Sequence, residues 1–168
     1  MLHLKTFQPR TYITKVKTIS KLEKYIIKYK NKYLCFDLDF LIEVFPRLQN
    51  IDELFMNRTV VLSEETIFRL ITLKKEKNLS ANYTFNILDL ITQIGNVIVI
   101  PTTTQDFIFK DYLQQLNLQY QEPLHHCLAY YSKFQSKLKD QELVLFTNSI
   151  ESKRIAKGIG LNTIVYFQ

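Results

Sequence analysis

Leu143-Val144-Leu145-Phe146-Thr147-Asn148-Ser149, running on into a helical stretch from Ile150 to Gly160, is the segment whose reading decides the fold. Four successive apolar residues without polar alternation predict a strand buried on both faces, as in a parallel sheet. The small polar residues that follow are helix-capping types. A strand that turns at once into a helix places its turn at the carboxyl edge of a parallel sheet, where α/β proteins bind ligands. Thr147, Asn148 and Ser149 therefore line a candidate site. An acid in the third position would hold a metal ion; Ser149 is neutral and holds one poorly.

The same strand-then-helix pattern recurs upstream. Tyr33 to Phe36 reads as a strand that leads through Asp37-Leu38-Asp39 into a helical stretch from Phe40 to Leu48, and Ile51 to Met56 as a short helix. Val60 to Leu62 is a second strand, with Ser63 as N-cap of a helix bearing Ile67, Leu70 and Ile71. A helix from Ala81 to Ile94 stops at Gly95, and Val97 to Ile100 is a strand ended by Pro101. Phe107 to Leu116 and Pro123 to Leu138 read as helices, Ile150 to Gly158 as another, and Thr163 to Phe167 as the last strand. Such alternation predicts a single three-layer α/β/α domain around a parallel sheet of about five strands.

The composition fits one ordered domain. A chain of 168 residues with 46% apolar residues, three Gly and no biased tract buries a real core. Cys35 and Cys127 form no Cys-x-x-Cys pair, which argues against a disulfide framework or a zinc knuckle. No segment has the apolar length of a secretory leader or a membrane span. The expectation is a soluble protein without a membrane partner, inside the cell, in cytoplasm or nucleus.

The net charge of +6 is unevenly placed. Residues 1–35 hold nine basic residues and one acid, while the rest of the chain, with 13 basic and 15 acidic, is slightly acidic. Between Val16 and Tyr29, Ile19, Leu22, Ile26 and Tyr29 keep helical spacing, and Lys17, Lys21, Lys24 and Lys28 recur on another face. Residues 1–31 thus read as a basic extension with an amphipathic helix. Its lysines form either a phosphate-contacting stripe, with Tyr12, Tyr25, Tyr29 or Tyr33 for base stacking, or a solvated face of a lysine-rich chain.

Asp37 ends a buried strand and Asp39 lies two residues on, so one turn presents either a hard-cation site or a helix cap. The run Tyr33-Leu34-Cys35-Phe36-Asp37-Leu38-Asp39-Phe40-Leu41-Ile42-Glu43 resembles the opening of a PIN domain, where an apolar strand meets Asp-Thr-Asn. Val60 to Ser63 with Arg69 to Lys75 is similar to that family's second strand and its Glu-Leu-Asp-x-Leu-Lys helix. Leu143 to Leu161 resembles its segment of strand, Thr-Asn-Asp and Lys- and Ala-rich helix. The resemblance spans residues 32–168. It implies a metal-dependent nuclease fold acting on single-stranded RNA, in which clustered carboxylates hold Mg²⁺ or Mn²⁺ to activate water.

Carried over by position, Asp37 matches the first family acid and Glu122 falls near the third, with Asp39 as an auxiliary ligand. Arg69 takes the place of the second acid and Ser149 that of the fourth, while Thr147 and Asn148 are kept. An arginine about 5 Å from a divalent ion repels it by several kcal/mol at an effective dielectric of about 20. The resemblance therefore implies a degenerate member without a metal cofactor, acting as a protein-interaction or RNA-binding module in RNA processing or surveillance. Two alternatives stand beside it. One is an active Mg²⁺- or Mn²⁺-dependent endoribonuclease using Asp37, Glu122 and a relocated acid such as Glu65, Asp39 or Glu151; the other is a structural subunit whose basic helix docks an acidic protein. His125 and His126 point apart on one helix and Cys127 lacks an orienting partner, so all three read as core residues. With only Gly95, Gly158 and Gly160, the chain has no glycine-rich phosphate loop.

Overall fold

A computed structural model describes residues 11–102, 107–119, 121–138 and 142–167. Its centre is one sheet of six parallel strands: β1 (Ile13–Val16), β2 (Tyr33–Phe36), β3 (Thr59–Ser63), β4 (Asn96–Ile100), β5 (Leu143–Thr147) and β6 (Asn162–Tyr166), in the order β1-β6-β5-β2-β3-β4. The helices are α1 (Ile19–Lys28), α2 (Leu38–Glu43), α3 (Ile51–Phe55), α4 (Glu64–Lys75), α5 (Leu79–Ile94), α6 (Phe107–Gln115), α7 (Pro123–Lys137) and α8 (Ile150–Ile159). The expected α/β architecture is thus the observed one, with one strand more than the sequence suggested.

Strand pleat divides the core. Leu34 and Phe36, Val60 and Leu62, Val144 and Phe146, and Ile164 and Tyr166 point to one face, where they meet Leu22 and Ile26 of α1, Phe40 and Leu41 of α2, Leu54 and Phe55 of α3, and Leu88 and Ile91 of α5. Cys35, Val61, Leu143 and Leu145 point to the other face, against Leu128 and Tyr131 of α7 and Ile155 and Ala156 of α8. Helix α6 packs outside α7 through Phe109, whose ring stacks on Tyr130 with centroids 4.6 Å apart.

The unforeseen strand lies within the basic extension. Ile13 to Val16 pairs with Thr163 to Tyr166, and Leu22, Glu23 and Ile26 of α1 are buried. Residues 13–28 therefore share the sheet and the core of the rest. Glu23 helps to fix α1, since its carboxylate accepts from the Gln49 backbone N–H at 2.7 Å and the Asn50 side-chain amide at 3.3 Å. The helix expected over Phe40 to Leu48 is also divided: α2 starts at Leu38 with Asp37 as its cap, and a 3-10 turn, Phe45–Arg47, replaces its end at Pro46. Proline has no N–H to continue an α-helix, so the division has a local cause.

The strand order fixes where a site can be. The chain moves outward from β2 to β3 and β4, then returns to place β5 on the other side of β2. Between the carboxyl ends of β2 and β5 the following helices leave for opposite faces, α2 to one and α8 to the other. A crevice opens at such a switch point.

Candidate functional site

Asp37 stands at the end of β2 and Thr147 at the end of β5, two strands paired directly. The Asp37 side chain is 1% exposed. Its Oδ1 accepts the Phe40 N–H at 3.0 Å, which caps α2. Its Oδ2 accepts the Ser152 hydroxyl at 2.6 Å and the Thr147 hydroxyl in a short hydrogen bond. Thr147 Oγ1 in turn accepts the Ser149 N–H at 3.0 Å, and Ser149 Oγ caps α8 by accepting the Ser152 N–H at 3.2 Å. One carboxylate and three hydroxyls thus knit the first turns of two helices across the switch point.

Burial pushes the Asp37 carboxyl above its ordinary range, the Ser152 and Thr147 hydroxyls and the Phe40 N–H pull it back in part, and the charge of Asp39 adds to the rise. Asp37 is therefore occupied as an acceptor on both oxygens. The cap alternative read from the sequence is the one observed.

The open cleft lies beside this knot. A hollow of about 90 Å³ is lined by Leu38 and Asp39 of α2, Glu65, Thr66 and Arg69 of α4, and Pro123, Leu124 and Cys127 of α7. Asp39, Glu65 and Arg69 share it. Glu65 accepts from His126 Nδ1 at 3.2 Å across the α4–α7 contact. Cys127 accepts the Thr66 hydroxyl at 3.4 Å, and burial pushes its thiol up to about 11, so it is a poor nucleophile at neutral pH.

The remaining candidates are dispersed. Glu122 holds the N-cap position of α7, exposed and without a side-chain cap bond, and lies outside the lining of the cleft. Asn148 turns away from Asp37: its amide donates to Glu43 Oε2 at 2.7 Å and it lines a different hollow. His125 and His126 are buried and structural, as expected, but each has an inter-helix partner, His125 Nε2 lying 3.7 Å from Glu151 of α8. Lys17, Lys21, Lys24 and Lys28 are all exposed. The tyrosines beside them are not free for bases: Tyr12, Tyr29 and Tyr25 stack on one another at centroid distances of 5.9 and 6.2 Å against the core, and Tyr33 packs on Phe134.

No protein-family profile matches this chain, and no curated protein matches it in sequence. What the site can do follows from its residues.

The donor set does not fit a hard divalent cation. Such an ion needs several free oxygens with net negative charge. Asp37 is buried with both oxygens already accepting hydrogen bonds, Arg69 brings a cation to the cleft shared by Asp39 and Glu65, and Glu65 is paired. Among the described residues no three His, Cys, Asp or Glu side chains converge on one point. Ser152 was missed in the sequence. Its signal was the Ser149-x-x-Ser152 spacing, which puts two hydroxyls on the first turn of a helix that follows a buried strand.

Proposed function

We propose that the chain is a PIN-like module that binds single-stranded RNA within an RNA-processing or surveillance assembly and does not cut it. The observation that carries this reading is the state of Asp37, whose oxygens face hydroxyl and amide donors in the core. Arg69 in the neighbouring cleft supports it, since a guanidinium there suits an anionic ligand better than a metal ion. The PIN-like reading itself is supported by a parallel sheet whose two central strands end at Asp37 and Thr147.

The test is incubation of the full chain with labelled single-stranded RNA in Mn²⁺, read by gel. The expected result is retention without cleavage. Cleavage that Asp39→Asn and Glu65→Gln abolish would sink the reading and favour a relocated metal site. A second reading has one observation in its favour: α1 presents three exposed lysines, Lys21, Lys24 and Lys28, with Lys17 exposed just before it, while the neighbouring tyrosines are spent in packing, so this face suits an acidic protein partner. Lys21→Glu with Lys24→Glu, if it leaves RNA retention unchanged, removes the nucleic-acid role of α1, whereas a clear loss of retention overturns the second reading.

A further inference from the structure

A second group of cations gathers outside α1. Lys15 of β1 follows the sheet face on which α8 packs, because it pairs with Val165 of β6 two places beyond Thr163. Its Nζ lies 5.9 Å from the centre of the Phe167 ring. Phe167 is held at that edge by its N–H, which donates to the Val16 carbonyl at 2.9 Å. Lys153 of α8 stands next to Lys15, whose charge is the largest influence on it and holds its amine below the ordinary lysine range, and Lys157, one turn further along α8, adds to the same effect. Beside this group a half-open hollow of about 220 Å³ is lined by Glu43, Val44, Arg47, Asn148, Tyr166 and Phe167. The Arg47 guanidinium sits over the Tyr166 ring at 5.4 Å.

Three separate elements thus bring cations to one edge. Among the described residues none of Lys15, Arg47, Lys153 and Lys157 forms an ion pair. The carboxylate in the hollow, Glu43, is engaged by Asn148, whose Oδ1 is buried without a partner. Glu43 keeps its charge in the hollow, but Lys15 and Lys153 have no ion-paired acid among the described residues, and like charges held together in this way raise the free energy of the fold and lower that of an anionic complex. The hollow is smaller than the roughly 300–1,000 Å³ of small-molecule sites, so it suits one flat group of a longer ligand.

We propose that the hollow and the cations beside it form a surface for single-stranded nucleic acid, with a base in the hollow by Arg47, Tyr166 and Phe167 and backbone phosphates on Lys15, Lys153 and Lys157. A single strand fits because its bases are unstacked and can meet a ring or a guanidinium, which a duplex keeps inside. The inference rests on the RNA-binding reading above and gives it a place: the carboxyl edge of β1 and β6, on residues other than those of α1.

The test is fluorescence anisotropy of a labelled 12-nucleotide single-stranded RNA titrated with the full chain at several salt concentrations. Lys15→Glu with Lys153→Glu is expected to weaken binding at least about tenfold, and the milder pair Lys15→Gln with Lys153→Gln to reduce the salt slope by about 0.7 per lysine removed. Lys21→Glu with Lys24→Glu is expected to change affinity less than about threefold. Circular dichroism checks that each variant is folded, and the glutamine pair decides if the charge reversal is not. If the α1 pair abolishes binding while both edge pairs leave it intact, this surface is wrong and the RNA-binding reading survives. Equal affinity for a duplex of the same sequence overturns the choice of ligand. If the wild-type chain binds neither, both the RNA-binding reading and this surface fall.

Discussion

Asp37 shows how one side chain can serve as a fastener rather than as a reagent. Its replacement by Asn keeps the α2 cap, since Asn caps as well as Asp, and the Thr147 and Ser152 hydroxyls can turn to accept from the new amide. Removal of the side chain in Asp37→Ala leaves two buried hydroxyls and the Phe40 N–H without their acceptor, at an expected cost of about 2–4 kcal/mol. The pH dependence has a definite sign. The folded Asp37 carboxyl titrates above 3.8, its value in the unfolded chain, so its protonated form favours folding. That contribution is complete below the unfolded value and is lost as pH rises through the folded one. Asp37→Asn should therefore gain stability relative to wild type as pH rises from about 4, by at most about 1.4 kcal/mol per pH unit. Urea unfolding of both proteins between pH 4 and 7 measures this; a difference that shrinks with rising pH contradicts the assignment.

At the scale of elements, the junction of α5 with β4 depends on close backbone approach. A Cβ at Gly95 would stand 2.5 Å from the Arg58 carbonyl oxygen and 2.7 Å from that of Phe55, and neither backbone can move freely because Arg58 is buried and bonded to the Leu54 and Tyr29 carbonyls. Gly95→Ala should cost about 2–3 kcal/mol. Gly158→Ala is the contrasting case, on α8 with nothing within 4 Å, and should stabilise by about 0.5–1 kcal/mol. Thermal melts of the two variants separate the effects, and a neutral Gly95→Ala would show that the α5–β4 junction is looser than described.

The elements also explain what could be read from the residues. Fully buried strands such as Leu143 to Phe146 were legible because an unbroken apolar run has few other uses in a short segment. Strand β1 was not, because it is an edge strand that carries Thr14 and Lys15 between its apolar residues and runs into the stronger periodicity of α1. The turns at Asp37 and Thr147 were legible as a site because they end buried strands. The Lys15–Lys153 cluster was not, since its two lysines are 138 positions apart in the chain and meet only through the β1–β6 pairing and the crossing of α8.

For the whole molecule, the basic segment that forms β1 and α1 is part of the body. Deletion of residues 1–31 removes β1 and takes Leu22, Glu23 and Ile26 from the core. Burial of a leucine or isoleucine is worth about 1.5–3 kcal/mol against a typical total stability of about 5–15 kcal/mol. The truncated chain should show no cooperative calorimetric transition; a sharp one would mean that residues 32–168 fold alone. None of the described helices is long and apolar enough to cross a membrane.

The parallel pairing of Ile13 with Thr163 has a consequence for the order of events during synthesis. Of the described strands β1 emerges before the others, and its one neighbour among them is β6, near the end of the described residues. β2, β3 and β4 with α2 to α5 can assemble as the chain lengthens, since each strand pairs with the one before it. β1 must wait with an unpaired edge until β6 is released and closes a loop of roughly 150 residues, a contact of high sequence separation that slows folding. Until then, β1 and the exposed side of β2 are the places where a nascent chain would need shielding from other strands.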